Sequence, residues 1–135
     1  MTETMAATNS FLLIGRHTET QWPLVLQQAL SPLGKLWIVP EEEALQAVIE
    51  GHYDLIIIDA GTVGDAALLT SHLRTHRPEA RVIIATASPT WRRARKALQA
   101  GAADYIRKSL DTKELYARVQ AVLKVPAPSR PRGGQ

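Results

Sequence analysis

The feature that most constrains the fold is the stretch 53–59, in which four large aliphatic side chains stand in a row between two aspartates. The run is too short for a helix and too apolar for a strand with one wet face, so it predicts a strand buried on both sides. An Ala-Gly pair follows it. Open α/β folds carry their chemistry where such strands end, which makes Asp59 the first candidate functional residue. Asp59 could equally cap the turn or helix that follows.

Composition limits the functions that this chain can have. Its 135 residues and 45% hydrophobic content suit a single globular domain. It contains no cysteine, which excludes disulfides, thiolate catalysis and cysteine-based zinc sites and is compatible with a cytoplasmic location. We expect no membrane span, because the apolar runs are too short. The formal charge is +3 and residues 91–96 form a basic run, which we interpret as a solvated helix face rather than a nucleic-acid site.

Apolar runs and helical patterns alternate along the chain. Strands are predicted at 11–14, 35–39, 53–59, 81–86 and 103–107. Helices are predicted at about 20–30, 41–50, 65–75, 90–100 and 112–124, with Thr18 or Thr20 capping the first and Asp111 the last. This alternation predicts a parallel sheet wound on both faces. Residues 1–10 are expected to be disordered, 11–124 to form the domain, and 125–135 to be a tail or linker.

The predicted strand ends bring an acid, a hydroxyl and a lysine to one edge of the sheet: Asp59, Thr86 and Lys108. Such a set could accept a phosphoryl group on the acid, while Lys108 and Thr86 contact the phosphoryl oxygens. The sequence contains no glycine-rich dinucleotide or nucleotide fingerprint. Thr86 could also be an ordinary strand residue, and the four histidines lack a convincing metal-ligand pattern.

These motifs resemble the receiver domain of bacterial two-component response regulators over about residues 11–123. The resemblance rests on DLIIID at 54–59, on Thr86 and Ala87, and on ALQAGAADYIRK at 97–108. It implies an α/β, flavodoxin-like (CheY-like) fold, a doubly wound five-stranded parallel sheet with strand order 2-1-3-4-5. It also implies a signalling module rather than an enzyme. Asp59 would be the phosphoacceptor, Thr86 and Lys108 the phosphoryl-binding pair, and Tyr105 the switch aromatic.

The chain departs from the family pattern at the end of the first strand. Members that are competent in phosphotransfer have an acidic pair there, which helps to hold Mg²⁺, whereas this chain has Gly15 and Arg16. Magnesium requires several oxygens in a near-octahedral arrangement. Only Asp59 and the backbone carbonyl of Gly61 would remain, so we expect Mg²⁺ to bind weakly.

Other residues near these positions could compensate for the missing acids. Arg16 could direct its guanidinium at Asp59 and take the place of the metal. Glu19 or Glu41 could restore part of the lost negative charge.

A second departure is the dipeptide Lys108-Ser109, where the family usually has Lys-Pro with a cis peptide. A cis bond costs about 2.5 to 4 kcal/mol before serine but only about 0.5 to 1 kcal/mol before proline. We therefore expect a trans bond here, with Lys108 less firmly directed at Asp59. Tyr105 could be a packing residue with its hydroxyl at the surface.

In the family, the fourth helix, fifth strand and fifth helix form the face that meets partners. Here that face carries charges of both signs, at Arg93, Lys96, Asp104, Glu114 and Arg118. They could pair across a two-fold axis in a homodimer, although each exposed pair contributes only about 0 to 1 kcal/mol.

Three functions fit these residues. The first is a phosphorelay receiver that accepts phosphate on Asp59 from a sensor histidine kinase or phosphotransfer protein and signals to an output protein or domain. The second is a pseudo-receiver, a protein interaction module with Arg16 in place of the magnesium-binding acid. The third is an enzyme or ligand-binding protein on the same fold.

Overall fold

The structure is a computed structural model that describes residues 9–16 and 21–126. Its strands are β1 (Asn9–Ile14), β2 (Gly34–Val39), β3 (Leu55–Asp59), β4 (Val82–Thr86) and β5 (Asp104–Arg107). Its helices are α1 (Trp22–Leu30), α2 (Glu41–Glu50), α3 (Ala66–His76), α4 (Trp91–Gln99) and α5 (Thr112–Lys124). The predictions for residues 1–8, for the tail 127–135 and for a cap at Thr18 or Thr20 lie outside the described residues.

The strands form one parallel sheet in the order β2-β1-β3-β4-β5. This topology confirms the predicted doubly wound sheet. Strand β3 lies at its centre, and all of its residues are buried, as the aliphatic run predicted. Because successive side chains point to opposite faces, Leu55 and Ile57 enter one core and Ile56 and Ile58 the other.

The helices divide between the two faces of the sheet. Trp22 and Leu26 of α1 pack with Leu115 and Val119 of α5 in the first core. Helices α2, α3 and α4 supply the second core, through residues that include Ala44, Val48, Leu73 and Ala97. None of the helices in the described ranges is long and apolar enough to span a membrane.

Side-chain caps define where three helices begin. The carboxylate of Asp111 accepts hydrogen bonds from the amides of Lys113 and Glu114, which confirms the predicted cap of α5. Asp65 caps α3 and Thr90 caps α4 in the same manner. Each such cap contributes about 1 kcal/mol and directs the chain from the carboxyl edge of the sheet into its helix.

Two details of the sequence interpretation were wrong. Strand β1 begins at Asn9 rather than Phe11, so residues 9 and 10 belong to the sheet. The apolar pattern of α1 and α3 also predicts Leu24 and Leu68 on the buried faces of these helices, but the two side chains are 64% and 53% exposed. An α-helix turns by about 200° over two residues. On α1, Leu24 therefore points away from the core that Trp22 enters.

Candidate functional site

Asp59 ends β3 at the carboxyl edge of the sheet, and its side chain is only 2% exposed. Its Oδ1 atom accepts a hydrogen bond of 2.9 Å from the amide of Gly61. The ammonium of Lys108 donates to both carboxylate oxygens, at 3.0 and 3.1 Å. A buried carboxylate needs such partners because its own hydration has been lost. The fold therefore brings Asp59 and Lys108 into direct contact.

The backbone after β5 holds Lys108 in place. The Lys108-Ser109 bond is trans, as predicted, since the described residues contain no cis peptide. The amide of Lys108 donates to the carbonyl of Thr86 at 2.8 Å, and the amide of Ser109 donates to the carbonyl of Arg107 at 2.8 Å. The expected loose placement of Lys108 is therefore not found.

Trp22 is a residue of the site that sequence reasoning missed. Its indole Nε1 donates a 2.9 Å hydrogen bond to the carbonyl of Ser109, and its ring centroid lies 5.5 Å from Nζ of Lys108. The side chain is 3% exposed, so both contacts are shielded from water. A cation over an aromatic face is attracted to it, which adds to the placement of Lys108. Nothing in the local sequence links residues that are 87 positions apart.

Thr86 ends β4 beside Asp59 and is 6% exposed. Its hydroxyl accepts a 3.1 Å hydrogen bond from the amide of Ser88. Within the described residues the hydroxyl of Thr86 has no hydrogen bond to Asp59 or Lys108. Since a hydroxyl also carries one donor, Thr86 can still donate to a further group at this edge.

Tyr105 lies on β5 with its ring against the second core. Its hydroxyl is buried and has no hydrogen-bond partner among the described residues. The alternative of a hydroxyl at the surface is therefore wrong. The ring borders a cleft that Thr86, Arg93 and Lys96 also line.

The β1 side of Asp59 is built from Gly15 and Arg16. Gly15 has φ +154°, and a Cβ atom there would lie 2.6 Å from Oγ1 of Thr62 and 2.9 Å from Cβ of Asp59. The position therefore has no room for a side chain unless its neighbours move. Arg16 is exposed and donates its amide to Oγ1 of Thr62 at 3.0 Å. The hypothesised ion pair between Arg16 and Asp59 is not found; Lys108 donates to both carboxylate oxygens instead.

The described residues do not fit a magnesium ion. They contain no cluster of three or more histidine, cysteine, aspartate or glutamate side chains that could hold a metal. The carboxylate of Glu41 accepts a hydrogen bond from the amide of Gly64 at 3.1 Å. Glu19, the other candidate acid, lies outside the described residues. If Asp59 and the Gly61 carbonyl were its ligands, water would have to fill most of the octahedral coordination shell of the magnesium ion.

Two charges of the proposed dimer face satisfy each other within one chain. Arg118 donates to both carboxylate oxygens of Asp104, at 3.2 and 3.1 Å. A symmetric dimer that paired these residues between two chains would first have to break the contact within each chain. Arg93 and Lys96 lie on α4, and Glu114 lies exposed in the first turn of α5. The homodimer stays a prediction.

Comparison with known proteins identifies the family. The family model of the response regulator receiver domain matches residues 37–120. The chain belongs to this family and is a receiver domain of two-component systems. It is 41% identical over 88 residues to the two-component response regulator PhoP of Pseudomonas aeruginosa. That match covers 64% of this chain but only 39% of the relative.

Solved structures share the fold. A CheY-like receiver domain from Methanospirillum hungatei JF-1 is similar with a TM-score of 0.73 and 19% identity, over 85% of this chain and 93% of that one. An atypical orphan response regulator, described with a phosphorylation-independent regulatory mechanism, has a TM-score of 0.72 and 21% identity over 89% and 99% of the two chains. These similarities confirm the predicted CheY-like architecture.

Proposed function

We propose that this receiver domain acts as a protein interaction module whose signalling does not depend on phosphorylation of Asp59. The observation that carries the proposal is the β1 side of the site. Gly15 packs against Asp59 with no space for a side chain, and the next residue in the sequence is the exposed cation Arg16 rather than an acid. The metal that normally offsets charge during phosphoryl transfer would therefore have few ligands.

The β5 side of the site supports the same function. Lys108 and the amide of Gly61 already compensate the charge of Asp59. Asp59 can therefore stay buried as a structural element without a metal ion. The atypical orphan regulator with a similar structure is described as phosphorylation-independent, so the fold is compatible with this mode.

The partner in this proposal is an output protein or domain that contacts α4, β5 and α5. That surface carries the charges of Arg93, Lys96 and Glu114 next to the internal pair of Asp104 and Arg118. A cytoplasmic location, which the cysteine-free composition allows, is part of the same proposal.

A phosphorylation assay tests the proposal directly. Wild-type protein and the Asp59→Asn variant are incubated with acetyl phosphate and Mg²⁺, and the intact mass is measured. We expect no phosphoryl adduct on either protein. A wild-type adduct that Asp59→Asn abolishes would overturn the proposal. The variant Glu19→Gln would then show whether Glu19 supplies the missing acid.

A gain-of-function variant tests the physical reason. Arg16→Asp adds a carboxylate at the exposed end of β1, where the structure leaves room, so it should create Mg²⁺ binding and a response to beryllofluoride. Trp22, which lies 5.5 Å from Lys108, provides the fluorescence signal. The matched control is Arg95→Asp, which makes the same charge change on α4. An equal response in both variants would contradict the assigned role of position 16.

The second candidate is a phosphorelay receiver that accepts phosphate on Asp59 from a sensor histidine kinase or phosphotransfer protein. It is favoured by the contact between Asp59 and Lys108 and by Thr86 and Tyr105 at the neighbouring strand ends. An adduct in the wild-type mass spectrum would select this function.

A further inference from the structure

A cleft beside Asp59 has the size of a small-molecule site. Its volume is about 510 Å³, and it lies between β4, β5 and the helices α3 and α4. Ligand pockets in proteins typically measure about 300 to 1,000 Å³. Small residues line much of it, namely Ala60, Gly61, Ala66, Ala67, Ala87 and Ala97. Asp59 is not among the lining residues, but Gly61 and Thr86 are, so the cleft adjoins the carboxylate site.

The wall of the cleft contains a polar atom without a partner. The hydroxyl of Tyr105 is buried and makes no hydrogen bond to any described residue. Leaving such a group unpaired is destabilising. The hydroxyl is closed to a water-sized probe, so a ligand atom accepts its hydrogen bond only when the ring turns toward the cleft.

The rim of the cleft is positively charged. Arg93 and Lys96 both line it, three positions apart on α4, so their side chains share one face of the helix. Neither forms an ion pair with a described acid. The carboxylate of Asp65 also lines the cleft, but its Oδ1 atom accepts the capping hydrogen bond from Leu68. The rim therefore favours an anion.

We propose that this cleft binds a small organic anion. A carboxylate or phosphate group lies between Arg93 and Lys96, an apolar body packs on the alanines, and an acceptor atom meets the hydroxyl of Tyr105. This ligand site goes beyond the proposed interaction function. It provides the domain with a chemical input at α4 and β5, two elements of the output face, without a covalent change at Asp59.

Four probes separate charge from shape in an amide NMR titration of the whole chain. Benzoate and phenyl phosphate carry an anion on an apolar ring, benzamide keeps the ring without the charge, and acetate keeps the charge without the ring. We expect benzoate or phenyl phosphate to shift the amides of Ala87, Ala97 and Tyr105. The stronger of these two identifies a carboxylate or a phosphate ligand. Benzamide and acetate should each bind about tenfold more weakly or not at all.

Matched variants test the individual contacts. Arg93→Gln and Lys96→Gln should each weaken the better anion about fivefold. Arg95→Gln removes the same charge from the same helix, but Arg95 does not line the cleft, so binding should be unchanged. Tyr105→Phe keeps the ring and should weaken binding about fivefold, whereas Tyr116→Phe on α5 should not.

Several results would overturn the site. They are the absence of cleft shifts with both anionic rings, an equal effect of Arg95→Gln and Arg93→Gln, or unchanged binding by Tyr105→Phe. The test of the proposed function reads the mass of the protein after treatment with acetyl phosphate, whereas this test reads amide shifts without a phosphodonor, so the two can fail independently.

Discussion

The two sides of Asp59 are built in opposite ways. On the β5 side, Lys108 contacts both carboxylate oxygens, and Trp22 holds the chain beside it through the carbonyl of Ser109. On the β1 side, Gly15 places only backbone against Asp59, and the exposed Arg16 interacts through its amide. The β5 side thus compensates the charge of the carboxylate. The β1 side, within the described residues, supplies no further carboxylate that could bind a metal ion.

This difference separates two properties of a receiver site that usually occur together. Compensation of the buried negative charge needs one cation at hydrogen-bond distance, which Lys108 provides. Recruitment of a divalent metal needs several oxygen ligands, and the described residues of the β1 side do not supply them. A domain with the first property alone can keep a stable fold and a functional surface. Measurements of the free energy of unfolding test whether the two sides differ in this manner.

The largest effect should come from removing the cation on the β5 side. Among the described residues, Lys108→Met leaves the buried carboxylate of Asp59 with the amide of Gly61 as its remaining hydrogen-bond donor. Breaking a buried pair in this way typically costs about 3 to 5 kcal/mol, and we expect about 3 kcal/mol here because Lys108 is 12% exposed. Urea unfolding followed by circular dichroism measures the loss.

The double variant Asp59→Asn with Lys108→Met is the control for this experiment. It removes both charges, so it should be more stable than Lys108→Met alone. If the double variant were less stable than Lys108→Met, the cost would come from lost packing of the lysine chain rather than from the unpaired carboxylate.

The next effect concerns the contact between β1 and Asp59. Gly15→Ala places a methyl group against Thr62 and Asp59 at a backbone angle that favours glycine, so we expect a loss of about 2 kcal/mol. Gly64→Ala is the control, because a Cβ at position 64 meets no atom within 4 Å. It should be neutral or slightly stabilising. Equal unfolding free energies for the two variants would show that position 15 can accept a side chain. A steric conflict would then not explain why this position lacks an acid.

The role of Trp22 should give a smaller but specific effect. Trp22→Phe keeps an aromatic ring and removes the donor to Ser109, which should cost about 1 to 2 kcal/mol. The exposed Trp37 provides the control, since Trp37→Phe should change the unfolding free energy by less than about 0.5 kcal/mol. If Trp22 positions Lys108, then Lys108→Met should cost less in the Trp22→Phe background than in wild type. Strict additivity of the two losses would contradict that coupling.

Hydrophobic periodicity predicted most of the fold. The aliphatic run before Asp59 became the central strand, and the helix predicted at 112–124 has the same bounds in the structure. These elements depend on local patterns, in which the spacing of apolar side chains reports the faces that they share. The same spacing could not place Leu24, because several apolar residues on α1 compete for one buried face.

The candidate site was predictable in its members but not in its contacts. Asp59 and Lys108 could be identified because strand ends of a parallel sheet meet at one edge. Their partners depend on rotamers and on competition between cations that are distant in sequence. Both Arg16 and Lys108 could have reached Asp59, and the packing of Trp22 on Ser109 favours the lysine. No local pattern contains that information.

The smallest effect is the one that compares the two cations directly. Arg16→Met removes the same charge as Lys108→Met, but the backbone amide that donates to Thr62 remains. Since the guanidinium is exposed and does not pair with Asp59, we expect the unfolding free energy to change by less than about 0.5 kcal/mol. When both methionine variants are unfolded in urea, Lys108→Met should therefore lose several times more free energy of unfolding than Arg16→Met. A loss above about 1 kcal/mol for Arg16→Met would mean that both cations share the carboxylate in solution, and the two sides of Asp59 would then be electrostatically alike.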